Sequence, residues 1–310
     1  IKQVINKIRD ITLKGKNGVR MMCKVAAIIV SYNPDSNLFD SINLLLNQVE
    51  KVIIVDNGSK EKYVKYIKSI NEDKIEIILN KENLGVATAL NIGVRKALEN
   101  GYEWILTMDQ DSKASPDMVK KMFNVYNSIN REERKDILSI FPNFVDERIQ
   151  SIEENSNMNS YEYVDADITS GNLLRKEVFE KVGFFDDSLF IDLVDTDFCM
   201  RLNEKGIKMI KIRDAVLYHS LGESKTIKGI LGSFNTSNHS ALRRYYMTRN
   251  RFYIWEKYKG LNSFTLNRDK KLFKKEFVKI ILGEKDKVNK IKMVLRGYKD
   301  YKKGIKGKLK

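Results

Sequence analysis

The sequence is poor in cysteine, proline and histidine, and each scarcity removes a class of protein. Two cysteines, Cys23 and Cys199, cannot build a disulfide framework or a four-cysteine zinc site, and they fit a reducing compartment. Three prolines in 310 residues argue against long disordered linkers. No apolar run approaches the roughly 18 residues needed to span a bilayer. The strongest apolar runs, such as Val25–Val30, have the length of a core strand. The N-terminal stretch also lacks the apolar centre of a signal peptide.

What is present is enough apolar content for a real core, 42% of residues. The length suits one large α/β domain with an appendage, or two modest domains. The net charge of +15 is unevenly placed. Residues 241–310 hold 23 lysines and arginines against 6 acids, whereas the other 240 residues hold 33 against 35. A near-neutral domain over residues 24–240 is therefore followed by a basic, amphipathic helical region over 241–310. Residues 1–23 form a basic leader in which nothing suggests chemistry. The basic region suits nucleic acid, an anionic membrane surface, or simple solvation. Lysines beside aromatics, as in Tyr298–Lys303, favour the membrane surface over the nucleic acid.

From Lys24 the pattern alternates. Strands are expected at Val25–Val30, Lys51–Val55, Ile75–Leu79 and Glu103–Met108, with helices at Leu38–Val49, Glu61–Ile70, Gly85–Glu99 and after Ser115–Pro116. Four such repeats in about 100 residues predict a doubly wound, mostly parallel sheet. The second half is less regular. It predicts strands at Ile137–Phe141, Tyr163–Thr169 and Ile207–Ile212, and helices at Arg175–Val182, Asp195–Lys205 and Ala241–Lys257. Ligands of such sheets bind at the carboxyl ends of the strands. Polar clusters fall at those ends: Ser31–Tyr32–Asn33, Asp56–Asn57 and Asp109–Gln110–Asp111, with Asn83 just beyond the third strand.

Asp109 and Asp111 are two hard-oxygen donors facing one way if the segment stays extended, a chemistry suited to magnesium or manganese. The same pair is also what a surface turn carries. Asp56 could accept from the N–H of a uracil or thymine ring, or hold an Asx turn with Asn57 and Gly58. Asp192, Asp195 and Asp197 crowd the start of a helix, where the dipole accounts for one or two acids but hardly three. One of them could serve as a general base. His219, one of two histidines, could complete a metal site with Asp111, or be structural. Gly171–Asn172 could admit a ligand to the backbone, or turn the chain into the next helix.

The segments VAAIIVSYNPD (25–35), KVIIVDNGS (51–59), NKENLGVATALNIGVRKAL (80–98), WILTMDQDS (104–112), ITSGNLLRKEVFEKVGFFDDSLFIDLVDTDFCMRLNEKG (168–206) and LYHSLGE (217–223) together resemble family 2 glycosyltransferases. RRYYMTRNR (243–251) extends the likeness, within that family, to the rhamnosyltransferase-like group. The resemblance covers about residues 24–260. It implies a GT-A fold with a nucleotide-binding half and an acceptor-binding half, and an inverting sugar transfer assisted by a divalent manganese or magnesium ion. Ser31, Tyr32, Asp56 and Asn83 would hold the nucleotide, with Asp109 on the ribose or donor sugar. Asp111 would bind the metal with His219 as second ligand. Asp195 would be the base with Asp197 beside it, and Gly171 and Asn172 would border the acceptor.

The sequence departs from the family at three places. Gln110 occupies the middle of the acidic motif, Val194 stands where a Glu is usual, and Leu90 replaces a frequent Arg. No Gln-x-x-Arg-Trp motif is present, which disfavours a processive synthase. The expected donor is a dTDP- or UDP-sugar. The expected acceptor is a saccharide or lipid-linked saccharide of cell-surface polysaccharide synthesis, met in the cytoplasm on the inner membrane face. A sugar nucleotidyltransferase would want a Gly-rich, basic loop after the first strand, and Ser31–Asp35 lacks one. A catalytically inactive sugar-nucleotide scaffold would not need the full set of acids. A nucleic-acid-binding protein would want a basic groove that the first 240 residues do not supply.

Overall fold

A computed structural model describes residues 24–145, 160–218, 225–229, 232–236 and 238–309. The first half follows the sequence pattern closely: β1 (Val25–Ser31), α1 (Asn37–Leu46), β2 (Lys51–Asp56), α2 (Glu61–Lys68), β3 (Ile75–Leu79), α3 (Val86–Glu99) and β4 (Trp104–Asp109). β1 to β4 form a parallel array ordered β3-β2-β1-β4. Both sheet faces are covered, so the strands read as continuous apolar runs. Ala26, Ile28, Ile53 and Val55 face one core with α3, while Val25, Ala27, Ile29, Val52 and Ile54 face the other with α1. This alternation is the period of two along each strand.

The second half adds β5 (Lys113–Ala114), α4 (Met118–Ser128), α5 (Arg131–Arg134), β6 (Ile137–Val145), β7 (Tyr161–Tyr163), β8 (Asn172–Arg175), α6 (Glu177–Val182), α7 (Val194–Glu204) and β9 (Lys208–Tyr218). The sheet continues β4-β8-β6-β9-β5, with β7 on β9. β8 runs antiparallel to both β4 and β6, so the parallel array gives way to a mixed half. A separate hairpin pairs β10 (Lys225–Gly229) with β11 (Gly232–Thr236). Then come α8 (Ala241–Lys257), α9 (Phe264–Gly283) and α10 (Lys287–Lys302).

Three expectations need correction. The strand expected over 163–169 stops at Tyr163, because the acids beyond it are committed elsewhere. Asp165 accepts from Ser263 Oγ, Thr265 N and Thr265 Oγ1 at the start of α9, and Asp167 pairs with Lys211. Arg175 closes strand β8 rather than opening a helix, and α6 begins at Glu177. The basic C-terminal region is not simply a solvated face. Ile254, Tyr258 and Leu266 join the same core as α3 and β1. Arg244 pairs with Glu284, and Arg251 with Asp269 and Glu276. Residues 1–23, the expected leader, lie outside the described residues.

Candidate active site

Strand register assembles the first part of the site. Ser31 lies opposite Asp56, and Val30 opposite Asp109, so the ends of β1, β2 and β4 are level along one sheet edge. Ser31 is fully buried there, and its Oγ has no hydrogen-bond partner among the described residues. A buried orphan hydroxyl at the mouth of a cleft suits a ligand atom. Tyr32 projects outward and is exposed. Asp56 is fully buried, and its carboxylate accepts from Ser59 N at 3.0 Å and from Ser59 Oγ. The turn role is the one this geometry displays, with both carboxylate oxygens engaged by Ser59. Asn83 is half-buried and accepts from Gly85 N at 2.9 Å and Asn57 Nδ2 at 3.2 Å.

Two side chains from the polar clusters at these strand ends, neither of them a candidate site residue from sequence, build this edge. Gln110 Oε1 accepts from Tyr32 N at 2.8 Å while its Nε2 donates to Tyr32 O at 3.4 Å, so an amide clamps the β1 loop like a short strand. Asn57 Nδ2 donates to Asn83 Oδ1 and Gly85 O, and its Oδ1 accepts from Leu84 N and Asn80 Nδ2. Asn57 thus laces the ends of β2 and β3 to the start of α3. Its signal was its place at a strand end. Gln110 stood in the polar cluster at the end of the fourth strand and as a departure from the family pattern.

The acidic motif is a turn rather than an extended segment. Asp109 ends β4, and its carbonyl accepts from Ser112 N at 3.3 Å. Ser170 Oγ accepts from Asp109 N at 3.0 Å and fixes the start of that turn. Asp109 is half-buried and Asp111 is exposed. The turn removes the extended geometry that would aim Asp109 and Asp111 one way, and what remains in favour of a hard divalent ion is the chemistry of their oxygen donors at and just past the end of β4. His219, expected as the second ligand, lies outside the described residues. Among the described residues no group of three or more His, Cys, Asp or Glu gathers in metal-binding geometry.

The second part of the site is the segment before α7. Phe190, Asp192 and Leu193 all have positive φ, at 66°, 66° and 65°. Left-handed backbone at non-glycine residues costs about 1–2 kcal/mol each, so neighbours must hold it. Val86 N donates to Phe190 O at 2.7 Å, which ties this segment to the start of α3 beside Asn83. Asn250 Nδ2 on α8 donates to the carbonyls of Leu189, Ile191 and Asp192. Arg249, fully buried, donates to Ser188 O, Leu189 O and Gly307 O. Neither residue was a candidate from sequence, although both sit in the RRYYMTRNR run.

Held this way are Asp192 and Asp195. Asp192 Oδ1 accepts from Arg243 Nε at 3.0 Å, and its buried Oδ2 has no partner among the described residues. Burial raises the Asp192 carboxyl above its ordinary range, against the pull of Arg243. Burial also raises Asp195, and repulsion from Asp192 adds to it, while the Thr196 N–H opposes the rise. Asp195 accepts from Thr196 N at 2.7 Å. A half-buried carboxylate kept hungry for a proton has the character of a general base.

Two expected roles do not match the geometry. Asp197 is fully buried and bound to Arg201 Nε at 2.9 Å, Lys257 Nζ at 2.7 Å and Tyr258 OH at 2.8 Å. It anchors α8 to α7 and has no free face for an acceptor. Gly171 has φ +81°, and an added Cβ would lie 2.5 Å from Pro142 Cγ, so its close approach is to the core. Asn172 is buried, with Oδ1 accepting from Ser139 Oγ at 2.8 Å. Packing of β8 between β4 and β6 accounts for both residues.

Comparison with known proteins agrees with this architecture. Residues 26–183 match the family described as glycosyl transferase family 2. Over 250 residues the chain is 34% identical to a protein named dTDP-rhamnosyl transferase RfbF from Shigella flexneri, covering 76% of this chain and 81% of that one. It is 30% identical over 110 residues to a UDP-N-acetylglucosamine–dolichyl-phosphate N-acetylglucosaminyltransferase of Methanococcus voltae, covering 31% of this chain and 44% of that one. Among solved structures, S. aureus TarS 1-349 in complex with UDP-GlcNAc superposes with a TM-score of 0.56 at 12% identity, covering 91% of this chain and 81% of that one. GalNAc-T7 with UDP, GalNAc and Mn2+ superposes with a TM-score of 0.55 at 13% identity, covering 77% of this chain and 48% of that one. At such identities the two structures speak to the fold, which is the GT-A arrangement.

Proposed function

The chain belongs to glycosyl transferase family 2, as a rhamnosyltransferase-like member acting in polysaccharide synthesis, and from that premise we propose how it transfers a sugar. The donor is a dTDP- or UDP-sugar, with dTDP-rhamnose favoured by the Shigella relative. Ser31, Tyr32, Asp56 and Asn83 line the nucleotide, and Asp109 faces the ribose or donor sugar. The observation that carries this reading is the level register of Ser31, Asp56 and Asp109 along one edge, with the Phe190 carbonyl bonded to the start of α3. That bond brings the Asp192–Asp195 segment to the nucleotide edge.

Asp195 accepts the proton of an acceptor hydroxyl. The freed oxygen attacks the anomeric carbon from the face opposite the diphosphate. The new C–O bond forms as the anomeric C–O bond breaks, and the nucleoside diphosphate leaves with the electron pair. The product is inverted, and no covalent sugar–enzyme intermediate forms. Arg243 and Asn250 keep Asp195 aimed by fixing Asp192 and its neighbours. A magnesium or manganese ion held at Asp111 would neutralise charge on the leaving diphosphate.

The acceptor is a saccharide, and the C-terminal helices support a lipid-linked one met at a membrane. No helix among the described residues is long and apolar enough to cross a bilayer. The outward face of α9 nevertheless mixes exposed Phe264, Leu272, Val278 and Leu282 with Lys271 and Lys275, a pairing suited to an anionic lipid surface. The test of the core reading is release of nucleoside diphosphate from a panel of dTDP- and UDP-sugars, with magnesium, manganese or chelator. Metal-dependent turnover of one donor supports it. No turnover and no thermal shift with any donor would remove it.

A further inference from the structure

α10 and the segment after it line an open pocket of about 750 Å³ that the transfer reaction above does not use. Five cations line it: Arg296, Lys299, Lys303, Lys306 and Lys308. Asp300 is the one carboxylate of the lining, and it is spent on Tyr245 OH at 2.8 Å and on Arg296 at 3.7 Å. Lys299 and Lys303 pair with no carboxylate among the described residues. Leu295, Ile305 and Leu309 supply apolar wall, and Leu295 and Ile305 stay exposed. Concentrated like charge in a concave site is costly unless a counter-charge arrives. The apolar wall beside it distinguishes the site from a plain phosphate cradle.

The cavity is also tied to the candidate active site. Gly307 N donates to Ser188 O at 2.7 Å, just upstream of Asp192. Leu309 N donates to Tyr246 OH, and the Tyr246 ring stacks on Phe190 at 5.1 Å. Lys308 reaches Glu82, next to Asn83. One short segment therefore forms a cavity wall and touches both the Asp192–Asp195 segment and the nucleotide edge.

We propose that this cavity binds the phosphate or diphosphate group of a lipid-linked acceptor, with the start of its hydrocarbon chain against Leu295 and Ile305. This rests on the glycosyl-transfer reading and names the part of the acceptor the enzyme grips. The Gly307 and Leu309 contacts would couple a phosphate anchored here to the segment that carries Asp195. It also gives a role to Lys299, Lys303, Lys306 and Lys308, which follow one another from the last turn of α10 onward.

The experiment uses the full chain with chelator present, titrated calorimetrically with farnesyl diphosphate, inorganic pyrophosphate and farnesol. Farnesyl diphosphate should bind, pyrophosphate should bind about tenfold more weakly, and farnesol should not bind measurably. The Lys299→Glu/Lys303→Glu variant should weaken farnesyl diphosphate by about tenfold or more, and Lys299→Gln/Lys303→Gln by less. Unchanged binding in both variants would overturn the proposal. So would equal affinity for pyrophosphate, which would mark a site for free phosphate. Donor turnover by the wild-type chain is measured alongside. Diphosphate binding without donor turnover under any condition would remove the transfer reading and leave the site standing.

Discussion

Asp195 and Asp197 stand two positions apart on one helix and differ in everything that matters for chemistry. Asp197 is fully buried and answers Lys257, Arg201 and Tyr258. Asp197→Asn leaves those partners unmatched, and because Lys257 is 44% exposed and can turn to water, the cost is about 2–3 kcal/mol rather than that of a fully buried pair. It should appear as a lowered urea midpoint, with kcat largely kept in the folded fraction. Asp195 should behave in the opposite way. Its raised pKa means the fold disfavours its charged form, so its contribution to stability falls as pH rises through that pKa. Asp195→Asn should therefore unfold at the wild-type midpoint or above it at neutral pH, while transfer falls by about a hundredfold or more. For catalysis the sign runs the other way, since the base must be charged. The acid limb of kcat/KM should lie above the ordinary aspartate value of about 3.9, and Asp192→Asn should move it to lower pH by removing a like charge. A limb that stays in place would mean that Asp195 is not the titrating group. Sequence gave reason to weigh three acids here, but which one was free to react depended on Lys257 and Tyr258, some sixty residues away.

At the scale of elements, β1 to β4 and their helices were legible because β1, β2 and β4 are apolar on both faces, the edge strand β3 is apolar apart from Glu76, and each is followed by a polar turn. The level register of Ser31, Asp56 and Asp109 then follows from parallel pairing alone. β8 was not legible. It is four residues long, and its Asn172 and Arg175 spoil any apolar pattern, so antiparallel pairing on both sides decides its conformation. The supporting role of α8 was hidden for a similar reason. Arg249 and Asn250 look like surface polar residues in sequence, yet both are fully buried against backbone carbonyls. Gly297 on α10 shows how closely the helices behind them fit: an added Cβ would lie 2.6 Å from Tyr245 O. Asn250→Ala should free the carbonyls of Leu189, Ile191 and Asp192 and relax the left-handed segment. The expected result is a loss of about 1–3 kcal/mol in stability together with roughly a hundredfold loss in kcat. Donor affinity should hold, because Asn250 bonds to none of Ser31, Asp56 or Asn83. A variant that lost stability but kept kcat would show that α8 supports the fold and not the base.

For the whole molecule, the charge asymmetry read from sequence survives in three dimensions but changes meaning. Three of the cations of residues 241–310 are internal, where Arg244, Arg251 and Lys290 neutralise the segment's own Glu284, Asp269 and Glu276 and bind α8, α9 and α10 together. What remains outside is concentrated on α9 and at the end of α10, beside exposed apolar side chains. Neither charge nor apolar area alone would hold such a face on a bilayer. Each basic residue near an anionic surface contributes about 1 kcal/mol, and a few partly inserted apolar side chains add a comparable amount. Binding should therefore need both. In vesicle sedimentation the protein should prefer phosphatidylglycerol-containing vesicles over phosphatidylcholine. Salt should weaken that preference, since exposed charges are screened beyond about 8 Å at physiological ionic strength. Lys271→Glu/Lys275→Glu should abolish the salt-sensitive part, and Phe264→Ser/Leu282→Ser the part that survives high salt. Soluble-donor hydrolysis should stay near wild type in both variants, because α9 packs on α8 through its opposite face, Arg251 meeting Asp269 and Phe252 meeting Phe273. Equal sedimentation with both vesicle types, in wild type and variants alike, would return this face to plain solvation and leave the site chemistry unchanged.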